Sequence, residues 1–374
     1  MLKIGVYGGS FDPVHKDHIA ICECFLNALS LDEVLVVPTK LSPFKNSSGA
    51  SGEHRLNMLK IACENNKKLK PCSIELELEG KSYTYRTMQI LRERYPTAKI
   101  YFLMGADSLK SFPNWLNPDK IVELCEIVVA GRSGENMQSA ISAFEMNFNK
   151  KPILLDVSGS IASSYVRELL KLNLNCEEYL PSGVFEYIKQ NSLYSGDGFC
   201  EYLKKALKPE RLKHVAGVAY LSVRYAKKIG ESADKAHIAG LLHDVAKYKN
   251  YKDYPEFTFL DGFDEKAYPQ IIHQFLGAHV AEKELGVADN EVLDAIKWHT
   301  TGRANMSNLQ KIVFVADLLE PSRNYEEVDF LRGECEKDFE SGFRLCVKRL
   351  IAHLERSGQK VHDYTLQANK FYNE

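Results

Sequence analysis

The chain reads as a parallel α/β domain followed by an all-helical one, and three stretches carry that reading. The first is the opening MLKIGVYGGSFDPVHKDHIA. Its β-branched apolar run 4–7 ends in Gly8-Gly9, turns through polar residues and enters an apolar stretch with helical spacing. The second is KIYFLMGADSLKSFPNW at 99–115. There the run 100–104 has the character of a central strand, and Gly105-Ala106-Asp107 marks the carboxyl end at which an open parallel sheet places ligands. The third is a change of character after Gly198, where strand runs stop and long helical patterns replace them. A length of 374 residues exceeds what one ordinary core claims. Two domains are expected, 1–190 and 199–374, joined by the polar, glycine-bearing linker NSLYSGDG at 191–198.

The totals narrow the function classes. A formal net charge of -2 supplies no basic field, so nucleic acid is not the expected partner. Nine cysteines lie without CxxC spacing, and their odd number cannot complete a disulfide framework, which suits a reducing compartment. The chain opens directly in a strand and holds no run of eighteen apolar residues. A cytoplasmic protein with no membrane contact is expected, and a homodimer is compatible with the sequence.

Within the first half, the two glycines of the opening turn let the backbone approach a ligand, and the free N–H groups of the next helix point at whatever lies above the strand end. His15 and His18, three apart, face the same way on a first helical turn and can meet one anion. A hairpin with solvated histidines fits the same residues. EVLVVP at 33–38 is a second buried strand, and the Ser/Pro/Lys/Asn-rich segment 39–52 is a loop. A helix opens at 53, and 73–78 alternates polar and apolar residues as a half-exposed strand does. Ser82-Tyr83-Thr84 leads to a helix from Thr87 to Arg94. Asp107 suits a ribose hydroxyl or the cap of a helix starting at Ser108, and Trp115 offers a flat face for stacking, or is core or rim. A strand at 127–130 ends in Gly131-Arg132. Ser163 and Ser164, at a helix start in IASSYVR, can donate to phosphate, with Arg167 a turn further on the same face.

GGSFDPVHKDH resembles the GG(T/S)FDPxHxGH signature of the nucleotidyltransferase superfamily, and IASSYVR resembles its ISSTxxR element. SYT, GADSLKSFPNW and PSGVFEYI narrow the resemblance to nicotinate-nucleotide adenylyltransferases over roughly 1–190. The resemblance implies a Rossmann-like doubly wound sheet and in-line transfer from Mg²⁺-bound ATP to nicotinate mononucleotide, with no nucleophilic side chain. It assigns Gly8, Gly9, Ser10 and Phe11 to the phosphate turn, and His15 and His18 to the ATP phosphates. Lys45 and Arg167 fall to the outer phosphates or leaving pyrophosphate; Thr84, Gly105, Asp107, Trp115 and Arg132 to nucleotide recognition; Ser163 and Ser164 to phosphate. Two positions depart from the pattern: Asp17 stands where glycine is usual, and Phe44 replaces a usual histidine.

In the second half, helical patterns run over 200–207, 211–229, 235–246, 270–285, 291–298, 309–319 and 336–357. His214, His243-Asp244, His273, His299 and Asp317 each fall on an apolar helix face, where an unpaired carboxylate carries a large desolvation cost. A metal resolves that conflict by coordination. These residues resemble the H…HD…D set of the HD hydrolase superfamily in its two-metal form. HTTGR at 299–303 and ADLLEPSR at 316–323 resemble the YqeK-type branch, whose members cut diadenosine tetraphosphate to two ADP and are iron-dependent. That resemblance implies two metals, iron or Mn²⁺, with Asp244 in the catalytic set and Lys247, Arg303 and Arg323 holding polyphosphate. His279 is a weaker ligand candidate.

The combined expectation is a bifunctional enzyme. Its rivals are transfer onto another phosphorylated acceptor such as phosphopantetheine, a nucleotide or cyclic dinucleotide phosphodiesterase, and a nucleotide-sensing module.

Overall fold

The computed structural model describes residues 1–40, 49–80, 82–131, 135–157 and 159–374. The chain divides into two compact units, Met1–Arg167 with Asn175–Tyr194, and Glu168–Leu174 with Ser195–Glu374.

The first unit alternates strands and helices: β1 Lys3–Gly9, α1 Lys16–Ala28, β2 Glu33–Pro38, α2 Gly52–Ala62, β3 Leu69–Pro71, α3 Ile74–Glu77, α4 Thr84–Arg94, β4 Lys99–Gly105, α5 Ala106–Ser111, α6 Pro118–Leu124, β5 Glu126–Ala130, α7 Glu135–Phe148, β6 Ile153–Leu155, α8 Ser163–Lys171 and α9 Val184–Gln190. The strands form one parallel sheet in the order β3-β2-β1-β4-β5-β6. This is the Rossmann-like doubly wound arrangement. The strands are buried apolar runs because helices cover both sides: Val34, Val36, Val37, Leu103, Val128 and Val129 are all 0–1% exposed. Strand order reverses between β1 and β4, and ligands bind such sheets outside the carboxyl ends at that switch. Gly8-Gly9 and Gly105 stand at those two ends.

Three expectations for the first unit need correcting. Residues 73–78 are not a strand, because the strand in this region is β3, which pairs with β2 at 69–71. The alternating segment turns instead into α3, which buries Glu75 against the Thr87 hydroxyl at 2.8 Å. Tertiary pairing overrides a local period of two. The helix after Ser82-Tyr83 starts at Thr84, three residues before Thr87. Asp107 is no cap: extended Gly105 takes the N-cap position, α5 begins at Ala106, and the Asp107 side chain is fully exposed.

The second unit is helical: α10 Gly198–Ala206, α11 Pro209–Ile229, α12 Ala233–Leu242, α13 Ile272–Lys283, α14 Asn290–Lys297, α15 Asn308–Leu319, α16 Val328–Lys337, α17 Phe339–Arg356 and α18 Asp363–Asn373. The expected helix over 336–357 is two, broken at extended Asp338, whose carboxylate caps α17 through the Ser341 N–H at 2.8 Å. The expected helix over 235–246 stops at Leu242, and that early end shapes the site. All nine cysteines are free thiols. Among the described residues no helix is long and apolar enough to cross a membrane.

Candidate active sites

In the first unit the turn after β1 is built around Phe11, a left-handed residue (φ 48°) whose ring is 1% exposed. The ring meets Tyr7 and His18 edge-on at 5.4 and 5.0 Å. A Cβ on Gly9 would lie 2.9 Å from it, so the second glycine is required by the ring beneath it. Strain of this kind persists where the surroundings over-determine it, typically at functional turns. Phe11 therefore serves the turn as a buried support.

His15 caps α1, and His18 sits three residues on with its ring stacked on His15, centroids 3.5 Å apart. The His15 backbone N–H donates to His18 Nδ1 at 3.2 Å, which leaves His18 Nε2 as the ring's N–H donor. Burial lowers the His15 pKa to about 4, against a smaller opposite pull from Asp17. It is neutral at pH 7 and acts through dipole and shape. The Asp17 carboxylate turns to the Ile161 N–H at 2.7 Å, and a Cβ on Gly159 would lie within 2.4 Å of it. Asp17 thus braces α1 to the loop that feeds α8.

That loop delivers Ser163, Ser164 and Arg167. Ser163 donates its hydroxyl to the Pro13 carbonyl at 3.0 Å, and Arg167 donates to the Asp12 carbonyl at 2.5 Å. The two signature elements, some 150 residues apart in sequence, are therefore tied to each other. Arg55, 6% exposed, donates to the carbonyls of Ser10 and Ala50; nothing in its sequence context marked it. Trp115 lies at the core rim, 5.2 Å from Phe112, with its indole N–H on Ser111. Thr84 is half-buried at the start of α4, and Lys40 N–H donates to Ser82 Oγ at 2.9 Å, tying the end of β2 to the SYT element. Lys45, Phe44 and Arg132 lie outside the described residues.

The second unit gathers the imidazoles of His214, His243, His273 and His299 and the carboxylates of Asp244 and Asp317. His243 and His299 each leave the carboxyl end of a helix, α12 and α14, and fold back. Each Nδ1–H donates to the carbonyl three residues earlier, Gly240 and Ile296, both at 2.7 Å. These carbonyls are orphans of a helix end. Their capture fixes the Nδ1–H tautomer and aims each Nε2 lone pair inward. His214 on α11 has Nδ1 3.2 Å from Glu320 Oε1, so its Nε2 is also aimed inward.

The lone pairs collide. His214 Nε2 and His243 Nε2 are 3.1 Å apart, and His273 and His299 Nε2 are 3.2 Å apart. Asp317 Oδ1 is 3.1 Å from His214 Nε2, and Asp244 reaches both pairs, Oδ2 toward His243 at 3.5 Å and Oδ1 toward His273 at 3.2 Å. Asp244 Oδ1 is buried and receives no well-directed hydrogen bond from the described residues. Facing acceptors at these distances fit cations between them. Two groups have the closeness a metal needs, His214/His243/Asp317 and His243/Asp244/His299. The donor set of imidazoles and carboxylates suits a divalent metal, and Asp244 stands where it can serve two.

Electrostatics agree at Asp244, Asp317, His243 and His273, whereas at His214 burial is outweighed by Asp317 and Glu320, which raise its pKa. Burial disfavours charge on Asp244, but the neighbouring imidazoles, His243 foremost, hold it well below the usual carboxylate range. Asp317 is held down likewise by His214. Burial lowers the pKa of His243, and that of His273 to about 4, keeping both as neutral ligands.

Cations ring the cluster. Lys247 Nζ is 3.1 Å from His273 Nε2, Arg323 pairs with Asp317 at 2.9 Å, and Arg211 pairs with Asp244 at 2.8 Å. Arg303 instead lies over the Trp298 ring and faces Asp294. His279 packs against Tyr254 and Phe257. Sequence reasoning passed over Glu320 and Arg211, although Arg211 lies three residues before His214 on α11 and Glu320 three residues after Asp317 at the C-cap of α15, the one signal that marks them.

Residues 6–169 match the Cytidylyltransferase-like family and residues 211–322 the HD domain family. A Mycoplasma genitalium protein named "Probable nicotinate-nucleotide adenylyltransferase/Ap4A hydrolase" is 30% identical over 87% of this chain and 89% of its own length. The Bacillus subtilis protein named "Nicotinate-nucleotide adenylyltransferase" is 31% identical over 52% of this chain and 99% of its own length. A Clostridium acetobutylicum structure described as a "predicted HD superfamily hydrolase involved in NAD metabolism" is 33% identical, covering 46% of this chain and 94% of that one, with a TM-score of 0.44. With both halves matched in order along one relative, the chain belongs to the family in which a nicotinate-nucleotide adenylyltransferase domain is fused to an HD-superfamily hydrolase domain.

Proposed function

We propose that the chain is a bifunctional enzyme. Its first half, 1–190, transfers the adenylyl group of ATP to nicotinate mononucleotide, giving nicotinate adenine dinucleotide and pyrophosphate. Its second half, 199–374, hydrolyses diadenosine tetraphosphate to two ADP, and 191–198 is the linker. The observation that carries the reading is the inward-facing set His214, His243, Asp244, His273, His299 and Asp317, in a chain whose other half sets a glycine turn and two histidines at a sheet switch point.

In the transfer reaction a phosphate oxygen of the mononucleotide attacks the α-phosphorus of ATP while the bond to the β-phosphate breaks. No side chain supplies the nucleophile, so the protein contributes position and charge relief. His18 Nε2–H and neutral His15 face the ATP phosphates across the Gly8-Gly9-Ser10-Phe11 turn. Ser163, Ser164 and Arg167 steady the outer phosphates with Lys45, while Thr84, Gly105, Asp107, Trp115 and Arg132 recognise the nucleosides. Mg²⁺ accompanies ATP.

In the hydrolase the six side chains would hold two metals, iron or Mn²⁺, which would supply an activated water and charge relief at phosphorus. Water adds to a central phosphorus, and its bond to the middle bridging oxygen breaks, leaving two ADP. Lys247 and Arg323 hold the polyphosphate, and Glu320 keeps His214 oriented. The test incubates the purified chain with ATP and nicotinate mononucleotide, nicotinamide mononucleotide or phosphopantetheine. Diadenosine tetraphosphate is assayed separately with iron, Mn²⁺ or Mg²⁺. Nicotinate adenine dinucleotide in the first set and ADP alone in the second are expected; AMP with ATP as hydrolysis products would sink the symmetrical cleavage.

A further inference from the structure

Asp12, inside the signature turn, is the meeting point of three segments. Its Oδ1 accepts the Ala50 N–H at 3.0 Å and the Tyr194 hydroxyl at 2.6 Å, while Oδ2 stands 3.9 Å from Arg167 Nη1. Tyr194 is the last residue of the first unit, and from Ser195 onward the chain belongs to the second. Its backbone is left-handed (φ 60°), uncommon for a bulky side chain and maintained only where the surroundings over-determine it. Burial, and then the Asp12 carboxylate, push its phenol above the ordinary tyrosine range, so it remains an O–H donor at any pH the enzyme meets.

We propose that Tyr194 is a positioning residue for adenylyl transfer: its hydroxyl holds the Asp12 carboxylate so that Arg167 is steadied through the Asp12 carbonyl without being captured by the carboxylate. The inference rests on the adenylyltransferase reading of the first unit. A guanidinium 3.9 Å from a carboxylate is near enough to be oriented and too far for a direct hydrogen bond. Two donors keep it there, Ala50 N–H and Tyr194 O–H. Without the phenol, Oδ1 loses its shorter, charge-assisted bond. The carboxylate is then free to rotate onto Arg167 and form the closed ion pair, withdrawing the arginine from phosphate. The end of the connector into the second unit thereby becomes part of the transfer site.

The experiment uses the full chain with Tyr194→Phe, which keeps the ring and removes only the donor. Adenylyl-transfer kcat is expected to fall about tenfold and the Kd for ATP to rise several-fold. KM for the mononucleotide, diadenosine tetraphosphate hydrolysis and Tm should stay near wild type. In an Asp12→Asn background the same substitution should cost nothing further, since the two act as one unit. Unchanged kcat and ATP affinity in Tyr194→Phe overturn the proposal, as do additive losses in the double variant. Parallel loss of both activities with a lowered Tm makes the contact merely structural and also overturns it. ATP binding reads the brace even where turnover is slow. A wild-type chain that neither binds ATP nor forms dinucleotide removes the parent reading and the brace together, whereas active wild type with an indifferent Tyr194→Phe removes the brace alone.

Discussion

The two sites solve the problem of holding phosphate by opposite means. The first is assembled from chain turns at the rim of a sheet: Gly9 yields to the Phe11 ring, backbone carbonyls of Asp12 and Pro13 take the donors of Arg167 and Ser163, and the two histidines stack at a helix start. The second is assembled from buried side chains on several helices and just beyond their ends, with His243 and His299 at 0% and 1% exposure and Asp244 at 1%. A rim site whose donors are already met by backbone carbonyls is stable without ligand. A buried cluster of facing lone pairs and carboxylates is not, because uncompensated buried polar groups are expensive. The contrast predicts that the first site tolerates loss of one contact in a graded way, and that the second fails as a unit.

The sharpest break of that contrast is Asp244→Ala. Asp244 faces both histidine pairs, so its removal is expected to abolish hydrolysis, by about 10³-fold or more, and to strip metal from the chain by elemental analysis. Adenylyl transfer should stay within twofold. Full metal occupancy in the variant would show that the aspartate is not the shared ligand.

Next is His18→Ala in the rim site. It removes the Nε2–H donor and the ring stacked on His15, and transfer is expected to fall by about 10²-fold with hydrolysis and metal content unchanged. Normal transfer kinetics would move the phosphate donors elsewhere on the turn.

How legible each region was in the sequence follows the same contrast. β1, β4 and the glycines at their ends were readable because buried parallel strands are continuous apolar runs with abrupt stops. The cluster residues stood out because each interrupts an apolar run, although His243, Asp244 and His299 fall just beyond the ends of α12 and α14. What lay hidden is set by tertiary contacts. Residues 73–78 carry a strand's alternation, yet Glu75 is drawn down to Thr87 as a helix turn. Asp338 looks like one more polar residue of a long helix, and only its cap on Ser341 reveals the break. The last helix, α18, buries Thr365, Ala368 and Tyr372, residues too small or too polar to mark an apolar face. Glu320 and Arg211 were within reach of helical spacing. Tyr194 was not, since it meets Asp12 from 182 positions away.

The smallest expected effect belongs to Asp17, the carboxylate standing where related signatures hold glycine. Sequence alone sets it beside the phosphate histidines. In the fold it points away, accepting the Ile161 N–H and packing on Gly159. Asp17→Gly removes that bond and places glycine in the first turn of α1, a combined cost of about 1–2 kcal/mol to the first unit. Because the brace sets the loop that delivers Ser163 and Arg167 and touches no ligand, transfer should slow only about threefold, with the Tm of the first transition lowered and the KM for ATP little changed. If Asp17→Gly instead left stability intact and tightened ATP binding, the carboxylate would be a brake on the nucleotide, and the rim site would be less tolerant of negative charge than its hydrogen bonding implies.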